Sequence, residues 1–413
     1  MKSSVTDLAV IGAGPAGMMA AVTAARRGAA VVVFDPNPRV GKKLRITGKG
    51  RCNLTNDCRP QELLEYVRTN ARFFKSALYA FPPSAVMEFF EKEGVPLKTE
   101  RGGRVFPVSD KAGDVADALA RAAERSGVRF VREKVVRILT EDGAVSGVRT
   151  DGGDYPCRAA AICTGGLSYP ATGSTGDGYV LARSAGHTIR ETRPSLVPWE
   201  GEEVCARLQG LSLRNVTLSL FEAGKLLFRE QGEMLFTHFG VSGPLMLSAS
   251  TWMRPDGKRY RLEIDLKPAL TPEKLDERLL RDFAENANRD LINALDALLP
   301  KKMIPVIVER SGIPGRTKVN SVTREQRLRL RDLLKAFPVE LIRPRPVAEA
   351  IVTAGGVDVA EVEPRTMASK LLPGLYFAGE VLDLDARTGG FNLQIAWSTG
   401  SALGRSVPIK ESL

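Results

Sequence analysis

The N-terminal stretch "DLAVIGAGPAGMMAAVTAARRGAAVVVFDP", residues 7–36, constrains the fold of this chain more than any other segment. Residues 7–12 are apolar and β-prone, as in a buried parallel strand. Glycines in G-x-G-x-x-G spacing follow and open a stripe of alanines at helical spacing, which Gly28 ends. A second apolar strand, residues 31–34, leads to Asp35. The pattern predicts a strand–turn–helix–strand unit of the kind that binds a dinucleotide.

Each glycine of the motif has a physical role. Gly12 allows the tight turn, Gly14 lets backbone approach a phosphate, and Gly17 permits close packing of helix against strand. The helix N-terminus then presents free N–H groups and a positive dipole end to the pyrophosphate. Asp35 follows about 18 residues later, the offset of an acid that binds ribose hydroxyls, which disfavours NADP in this pocket. The predicted contacts here are Gly12, Ala13, Gly14, Pro15, Ala16, Gly17, Asp35 and Pro36.

Length and composition exclude several classes of protein. A chain of 413 residues is too long for one ordinary core, so two or three domains are expected. The sequence shows neither a membrane-length apolar run nor a signal peptide, so we expect a cytoplasmic protein without a membrane span. Five cysteines without a CxxC and only two histidines indicate no metal site. The net charge of +11 is compatible with an anionic partner, but the basic residues are spread along the chain, which favours a solvated surface.

Two later blocks bear on whether the dinucleotide is FAD or NAD. "AAAICTGGLSYPATGSTGDGYVLARSAGH", residues 159–187, predicts a buried strand ending at Thr164, a loop, and a helix from about Asp177. "LPGLYFAGEVLDLDARTGGFNLQIAWSTGSALG", residues 372–404, predicts a short strand, an acidic turn and a final helix from Asn392. The last forty or so residues therefore complete a nucleotide fold begun at the N-terminus. This return of the C-terminal segment to the nucleotide fold favours FAD, because FAD is long enough to extend from the first strand to a helix on the far side of that fold.

The middle of the chain has a different character. From about Arg190, apolar and polar residues alternate between turns, which predicts a small antiparallel barrel or sheet. Thr271 is expected to cap a helical run through Leu299, and a second helix is expected over 324–337. We expect this module to cover the flavin and shape the substrate pocket. The predicted limits are 1–190 for the first part of the FAD-binding domain, 191–270 for the barrel, 271–337 for the helical subdomain, 338–352 for a return strand of the barrel and 353–413 for the C-terminal part of the FAD-binding domain.

Further motifs carry a family resemblance. They are "GKKLRITGKGRCNLTN" at 41–56, "LFTHFGVSGPLMLSAS" at 235–250 and "AIVTAGGVDVAEVEP" at 350–364. With the blocks above, they make the whole chain resemble the BaiN-like, or aminoacetone-oxidase-like, family of FAD-dependent oxidoreductases. The resemblance implies an α/β fold, a Rossmann-like FAD-binding domain of the two-dinucleotide-binding-domain type with an inserted antiparallel β-barrel and helical module. It implies non-covalent FAD and no settled substrate. The chain departs from it in having Asp35 where glutamate is usual, and the shorter acid still reaches a ribose hydroxyl.

The resemblance also implies further contacts with FAD. At the pyrimidine end of the flavin, a helix N-terminus starting at Asn392 would stabilise the negative charge that the reduced ring carries. The implied contacts are Lys42, Lys43 and Leu44 near the middle of the cofactor; Arg51, Cys52 and Asn53 near the flavin; Val135, through its backbone, at the adenine; Thr164, Gly165 and Gly166 after the strand; Gly379, Glu380 and Asp383 at the ribityl chain and pyrophosphate; and Gly389, Gly390, Phe391, Asn392 and Leu393 at the pyrimidine end.

The catalytic candidates are His238, Arg387 and Asn392. His238 would transfer protons, or it makes a structural hydrogen bond at a domain junction. Arg387 would clamp a substrate carboxylate or quinone oxygen, or it is a solvated loop residue. Cys52 would be a redox thiol or a small packing residue beside the flavin. His187, at a predicted helix end, is expected to cap that helix.

The predicted function is that of a flavoenzyme. NAD(P)H or a small organic donor would reduce FAD, and oxygen, a quinone or an organic double bond would reoxidise it. The sequence has no second G-x-G-x-x-G in a strand–helix setting, so NAD(P)H would bind only transiently. One alternative is a nucleic-acid-linked flavoprotein of the tRNA-modifying type, which the net charge favours and the aromatic content of 6% disfavours. The other alternative is a non-catalytic FAD-binding redox sensor.

Overall fold

A computed structural model describes residues 6–409, which form two compact units. The first unit extends to Ser195 and resumes at Pro346, and the second is Leu196–Arg345. The strands are β1 (Thr6–Ile11), β2 (Val31–Phe34), β3 (Thr55–Asn56), β4 (Leu97–Glu100), β5 (Arg104–Pro107), β6 (Arg129–Val131), β7 (Val135–Glu141), β8 (Ala144–Thr150), β9 (Asp154–Ile162), β10 (Ile189–Ser195), β11 (Trp199–Gly201), β12 (Ser212–Glu222), β13 (Lys225–Phe236), β14 (Gly240–Ser242), β15 (Tyr260–Asp265), β16 (Phe337–Pro344), β17 (Val352–Val357) and β18 (Leu375–Phe377).

The α-helices are interspersed among these strands along the chain. They are α1 (Pro15–Ala25), α2 (Pro60–Tyr66), α3 (Ala71–Ala80), α4 (Pro83–Lys92), α5 (Ala112–Arg125), α6 (Asp177–Ser184), α7 (Val204–Arg207), α8 (Pro244–Ser250), α9 (Pro272–Glu285), α10 (Leu291–Ala294), α11 (Ile304–Ser311), α12 (Arg324–Lys335) and α13 (Phe391–Ser406). Within the described part of the chain, none of these helices is long and apolar enough to cross a membrane.

The first unit is built on a mixed sheet. Its strand order is β6-β2-β1-β9-β8-β7, and β18 pairs with the end of β9. The pairs β6·β2, β2·β1, β1·β9 and β9·β18 are parallel, whereas β9, β8 and β7 form an antiparallel meander. Residues 7–11 of β1 are all buried, as expected of a central parallel strand covered on both faces. The predicted Rossmann-like fold, with its C-terminal return through β18, is therefore confirmed.

Helix α13 packs directly against α1 through backbone. A Cβ on Gly400 would lie 2.3 Å from the carbonyl oxygen of Ala16, and a Cβ on Gly404 would lie 2.5 Å from that of Ala20. The contacts advance in the same direction along both helices, so the helices run roughly parallel here. Small residues at these positions allow an approach that larger side chains would prevent.

The second unit contains a closed antiparallel barrel, in the order β11-β14-β13-β12-β15-β16. On β12, Val216, Leu218 and Leu220 are buried, in agreement with the alternation in the sequence. The predicted inserted barrel is thus confirmed. Its strands occupy residues 199–265 and 337–344, whereas β10 and β17 pair with each other in the first unit. The finer domain limits drawn from sequence stay predictions.

The helical run expected from Thr271 to Leu299 is interrupted. The hydroxyl of Thr271 caps α9 by accepting a hydrogen bond from the Lys274 N–H (3.3 Å), as predicted, but α9 ends at Glu285. The chain then turns, and Leu291 N donates to the carbonyl of Thr317 (2.9 Å) rather than to a preceding turn of helix. Donors diverted to a neighbouring loop cannot continue the helix. Likewise α12 ends at residue 335, because 337–344 form a barrel strand.

His187 caps α6 through its backbone, as expected: its N–H donates to the carbonyl of Ala182 (3.0 Å), directly after Gly186 in the left-handed conformation. Its ring is buried, with Nδ1 3.1 Å from Glu361 and Nε2 2.7 Å from the Ser369 hydroxyl. The Ser369 oxygen also accepts hydrogen bonds from the N–H groups of Leu371 and Leu372, so its own proton is directed at Nε2. The ring is therefore neutral, with its proton on Nδ1, and joins the start of β10 to the segment before β18.

Substituting Gly404 by alanine is expected to destabilise the fold by about 1–3 kcal/mol, because the new methyl group meets the α1 backbone. Gly113→Ala is the matched control, since its Cβ would meet only the Arg45 side chain at 3.6 Å. That control should be neutral or more stable by up to about 1 kcal/mol, through helix propensity. Denaturant unfolding measures both values, and equal effects of the two substitutions would contradict the packing argument.

Lowering the pH is expected to destabilise the fold through His187. Burial lowers the pKa of its imidazole below the ordinary value of about 6.5, so the unfolded chain takes up the proton first. Stability is complete above pH ~6.5 and is lost as the pH falls from there toward the lower folded-state pKa. His187→Gln cannot be protonated and should lose less stability over the same range in thermal unfolding. The same pH dependence in both proteins would refute this role.

Candidate cofactor and active site

The turn between β1 and α1 depends on two glycines for its shape. Gly12 has φ +104°, and a Cβ there would lie 2.7 Å from the carbonyl oxygen of Cys163. A Cβ on Gly17 would lie 2.0 Å from the carbonyl oxygen of Gly12. Both positions therefore exclude any larger residue for reasons internal to the protein.

Gly14 is different, because the protein itself does not require a glycine there. Its backbone is extended (φ −80°, ψ −177°), as suits a residue before Pro15. Among residues 6–409, only the carbonyl oxygen of Cys163, at 4.0 Å, comes within that distance of a Cβ placed on Gly14. The glycine thus leaves open space beside the N-terminus of α1, where phosphate oxygens can accept hydrogen bonds. This cradle fits the pyrophosphate of FAD.

Asp35 connects the glycine loop to the end of β2. Its Oδ2 accepts a hydrogen bond from Ala13 N (2.8 Å), and its Oδ1 accepts from the backbone N and the side-chain amide of Asn37 (2.8 and 2.9 Å). The Asn37 amide also donates to the carbonyl of Thr172 (3.3 Å), which brings the loop after β9 to this point. Pro36 lies exposed between them. The carboxylate is held where the expected ribose hydroxyls would meet it. Asn37 was missed, although an Asx turn after Asp35 could have been found in the sequence.

A polar network joins four separate segments of the chain. Lys43 Nζ donates to the Ser168 hydroxyl (2.7 Å) and to the Glu380 carboxylate (2.8 Å). Glu380 also accepts from the Ser168 hydroxyl (2.9 Å) and from Thr353 N (2.9 Å). The structure thus brings the predicted residues Lys43 and Glu380 together. Ser168 and Thr353 were not predicted, because no local pattern indicates their partners.

Two buried hydroxyl groups have no hydrogen-bond partner among the described residues: that of Thr164, in the loop after β9, and that of Tyr179, on α6. Gly165 adopts φ +73°, and its Cβ would lie 3.1 Å from the hydroxyl of Ser174. Gly166 is buried beside the network just described. The predicted positions 164–166 therefore form a tight turn at the carboxyl end of β9, the edge of a parallel sheet where ligands bind.

Four other predicted contacts are spread around this edge. Lys42 is exposed, with its ammonium 3.5 Å from the Asn37 side-chain oxygen. Leu44 is buried in the core, and Leu393 is partly buried against it. Val135 is buried at the start of β7. Their roles in holding FAD stay predictions.

The side chains of Arg51 and Cys52 make their contacts within the protein. The Arg51 guanidinium pairs with Glu100 (2.5 Å) and Asp110 (2.6 Å) and lies 4.1 Å from the centre of the Phe106 ring. The Cys52 thiol is fully buried, and burial raises its pKa to about 12, which disfavours a thiolate. These contacts favour a packing role for Cys52 and a structural role for Arg51.

Hydrogen bonds join the turn before α13 to the segment 53–56. With its amide oriented to satisfy its neighbours, Asn53 accepts from Gly390 N (3.0 Å). The Asn56 amide donates to the carbonyl of Gly389 (3.1 Å). A Cβ on Gly390 would lie 2.4 Å from the carbonyl oxygen of Thr55. The predicted residues Asn53 and Gly390 are therefore in direct contact.

Buried side chains of α13 reinforce the same contact. The Thr55 hydroxyl donates to Gln394 Oε1 (2.6 Å), and the indole N–H of Trp397 donates to the carbonyl of Leu54 (3.0 Å). The Gln394 amide in turn donates to the carbonyl of Phe81 (2.9 Å). All these polar groups lie in a buried environment, where an unmade hydrogen bond is costly. No pattern in the sequence indicates this set of partners.

The loop that carries Arg387 runs alongside the end of α2. Arg387 N donates to the carbonyl of Tyr66 (3.0 Å), and Arg68 N donates to that of Asp385 (2.8 Å). The Arg387 guanidinium lies 5.7 Å from the centre of the Tyr66 ring, which stacks on Phe391 at 4.4 Å. Arg387 is therefore next to the first residue of α13.

Asn392 is held by the same loop. Its Oδ1 accepts from Ala386 N (3.0 Å), and its amide donates to the carbonyls of Ala386 (2.8 Å) and Arg387 (3.3 Å). The side chain thus supports a positioning role rather than direct chemistry. Asp383 accepts from the amide of Asn70 (3.1 Å), and burial raises the pKa of its carboxyl. Helix α13 begins at Phe391, one residue before the expected start.

His238 lies in the second unit, in the turn between β13 and β14. Thr237 N donates to the carbonyl of Gly240 (2.8 Å), and Gly240 N donates back to the Thr237 hydroxyl (3.1 Å). The His238 side chain is exposed and packs edge-on against the neighbouring Phe239 at 5.0 Å.

For residues 6–409, no three His, Cys, Asp or Glu side chains are grouped to hold a metal ion.

The separation of the two helix N-termini suits FAD. Ala16, in the first turn of α1, contacts Gly400 of α13, and Phe391 begins α13 nine residues earlier. At ~1.5 Å per residue, the start of α13 lies ~14 Å along the helix from that contact. A pyrophosphate at α1 and the pyrimidine end of a flavin at α13 would thus be separated by the ribityl chain together with part of the isoalloxazine ring. The donors at the second N-terminus match the electron-rich edge of a reduced flavin.

Comparison with known proteins agrees with this assignment. A family model, the HI0933-like protein Rossmann domain, matches residues 6–406. The chain is 31% identical over 408 residues to the 3-dehydro-bile acid delta(4,6)-reductase of Clostridium scindens, covering 97% of this chain and 98% of that protein. It is 32% identical over 402 residues to the ribosomal RNA dihydrouridine synthase of Escherichia coli, covering 97% and 98%.

The fold also resembles a solved structure at low sequence identity. The 3-ketosteroid delta1-dehydrogenase of Sterolibacterium denitrificans aligns with a TM-score of 0.52 and 13% identity, covering 98% of this chain and 99% of that chain. At this identity the likeness concerns the fold alone.

Replacing Gly14 by alanine is expected to separate cofactor binding from folding. The methyl group would occupy open space, so the apoprotein should keep its melting temperature, while the affinity for FAD falls by about tenfold or more. Gly12→Ala is the contrasting variant, because it strains the backbone and clashes with Cys163, and it should lower the melting temperature as well. Fluorescence titration with FAD and thermal unfolding measure these effects. Unchanged FAD affinity in Gly14→Ala would contradict the cradle.

Proposed function

Because the chain belongs to the HI0933-like Rossmann family of FAD-dependent oxidoreductases, we propose that it reduces a carbon–carbon double bond conjugated to a carbonyl group, in uridine of RNA. The observation that carries the proposal is the pair of full-length relatives with unlike substrates. Their names describe saturation of a 3-oxo steroid diene and of the uracil ring. In both substrates the reduced bond is conjugated to a carbonyl, so the shared chemistry is that of an enone-type acceptor.

The residues near α13 support this chemistry. FAD, when bound and reduced, supplies the hydride that the β-carbon of such an acceptor takes up. Arg387 binds the carbonyl oxygen of the substrate and stabilises the negative charge that develops there. Asn392 positions Arg387 by holding its backbone carbonyl (3.3 Å). The α-carbon also needs a proton to complete the reduction, for which His238 stays the donor predicted from the sequence.

Charge favours RNA over the steroid as the substrate. The chain carries 59 Lys and Arg against 48 Asp and Glu, a net charge of +11, which attracts a polyanion more strongly than a single carboxylate. NADH or NADPH serves as the electron donor and binds transiently at the flavin, since the sequence lacks a second dinucleotide fingerprint. The steroid enone remains the second candidate, on the strength of the bile-acid relative.

The experiment that tests this function uses the FAD-loaded protein. NADH and NADPH are added without oxygen, and the flavin absorbance is followed until it bleaches. A uridine-containing oligoribonucleotide or a 3-oxo-Δ4 steroid is then added. We expect reoxidation of the flavin by the RNA, together with a mass gain of two hydrogen atoms on a uridine. Reoxidation by the steroid alone would favour the second candidate, and reoxidation by neither would refute the proposal.

Arg387→Met is expected to slow the reduction of the double bond by about 100-fold, the cost of losing one charged donor to a developing oxyanion. Reduction of the flavin by NAD(P)H should be unaffected, because this step involves no substrate carbonyl. Arg59→Met is the matched control, since Arg59 is exposed and pairs with Glu62 one helical turn away. Stopped-flow measurement of the two half-reactions gives both rates. An equal loss in both half-reactions would argue against a role in substrate binding.

A further inference from the structure

The loop 47–52 holds a lysine in a conformation that side chains rarely adopt. Gly48, Lys49 and Gly50 have φ angles of +57°, +58° and +84°, so three successive residues are left-handed. The flanking glycines adopt this conformation without cost, whereas the Cβ of Lys49 makes it unfavourable. Such strain persists only where the surroundings fix the backbone.

The base of the loop is fixed by short contacts. Cys52 N donates to the carbonyl of Thr47 (3.0 Å), and the Thr47 hydroxyl donates to the carbonyl of Leu44 (2.7 Å). A Cβ on Gly48 would lie 2.9 Å from Asn53 N, so the loop cannot shift toward that residue. The lysine is therefore carried on a rigid support.

Lys49 differs from the neighbouring cations in its lack of a partner among residues 6–409. Lys43 pairs with a glutamate at 2.8 Å, Arg45 with an aspartate at 2.6 Å, and Arg51 with two acidic residues. Lys49 is exposed, and within the described chain its ammonium makes neither a hydrogen bond nor an ion pair. Its charge is thus available to an anion from outside the protein.

The loop is also coupled to the predicted flavin end of the site. Asn53, which directly follows it, accepts a hydrogen bond from Gly390 N at the start of α13 (3.0 Å). Ile46, three residues before Lys49, is 46% exposed. An exposed cation and an exposed apolar side chain within one short segment suit a nucleotide, which has a phosphate and an apolar base face.

We propose that Lys49 binds a backbone phosphate of the RNA whose uridine is reduced. The inference rests on the proposed function and adds the residue that distinguishes a uridine within a strand from the free nucleoside. A lysine acts here as a point charge, so the contact favours RNA over small substrates without reading the sequence.

The test compares Lys49→Ala with Lys92→Ala, whose lysine is also exposed but pairs with Glu88 on α4. Binding of a fluorescent uridine-containing oligoribonucleotide is measured by anisotropy against salt, with the FAD-loaded protein. We expect Lys49→Ala to weaken RNA binding by about five- to tenfold. The slope of log affinity against log salt should fall by about 0.7, the value for one lost contact with a single strand. Lys92→Ala should bind as the wild type does, and Lys49→Arg should restore most of the affinity.

Further measurements on the same variants separate the possible failures. The Kd for FAD, the KM for NADPH and the rate of reduction of free uridine should be unchanged in Lys49→Ala. A weaker Kd for FAD or a higher KM for NADPH would overturn the proposal by assigning the lysine to a cofactor phosphate. If wild type reduces uridine in RNA and Lys49→Ala binds RNA equally well, only this inference fails. If wild type neither binds nor reduces RNA, the RNA substrate of the proposed function fails with it.

Discussion

The contact between the backbones of α1 and α13 is the constraint on which the rest of the site depends. A Cβ placed on Gly400 or Gly404 of α13 would lie only 2.3–2.5 Å from a carbonyl oxygen of α1. Helices this close resist sliding along each other, because such a motion meets backbone atoms rather than adaptable side chains, and separating them would leave a void in the buried interface. The phosphate-binding end of α1 and the N-terminus of α13 therefore keep a fixed separation, as a long cofactor requires.

The predicted flavin end of the site, at the N-terminus of α13, is completed by residues from the N-terminal part of the chain. The segments 53–56 and 66–70 hold the turn before α13 through hydrogen bonds that join residues more than 300 positions apart. Several of these bonds are buried, so breaking one would leave a polar group without water or a protein partner, which is costly. The same bonds place Arg387 and Asn392 in one rigid group, in which the amide of Asn392 is used for support.

Between residues 39 and 51, ion pairing determines which positive charges remain available to a binding partner. A net charge of +11 describes the whole chain, but most cations between residues 39 and 51 are used by neighbouring carboxylates. Paired cations contribute little to the field that an approaching anion meets, because the partner charge cancels theirs at short range. A basic composition thus says less about partners than the few charges that the fold leaves unpaired.

The sequence by itself determined the fold class, the dinucleotide loop and the inserted barrel. These features depend on backbone conformation and on the 2.0- and 3.6-residue periodicities, which are written locally in glycine spacing and apolar patterns. Only the tertiary structure decided which side chains meet. The buried ring of His187 between Glu361 and Ser369, the Thr55–Gln394 bond and the break after α9 all depend on partners distant in sequence. Such pairings leave no local signal, because a hydroxyl or amide satisfies its hydrogen bonds with whatever group packing brings within about 3 Å. Gly12 and Gly14 look alike in the sequence, and only the neighbouring atoms separate the glycine that the fold needs from the glycine that leaves room for a ligand.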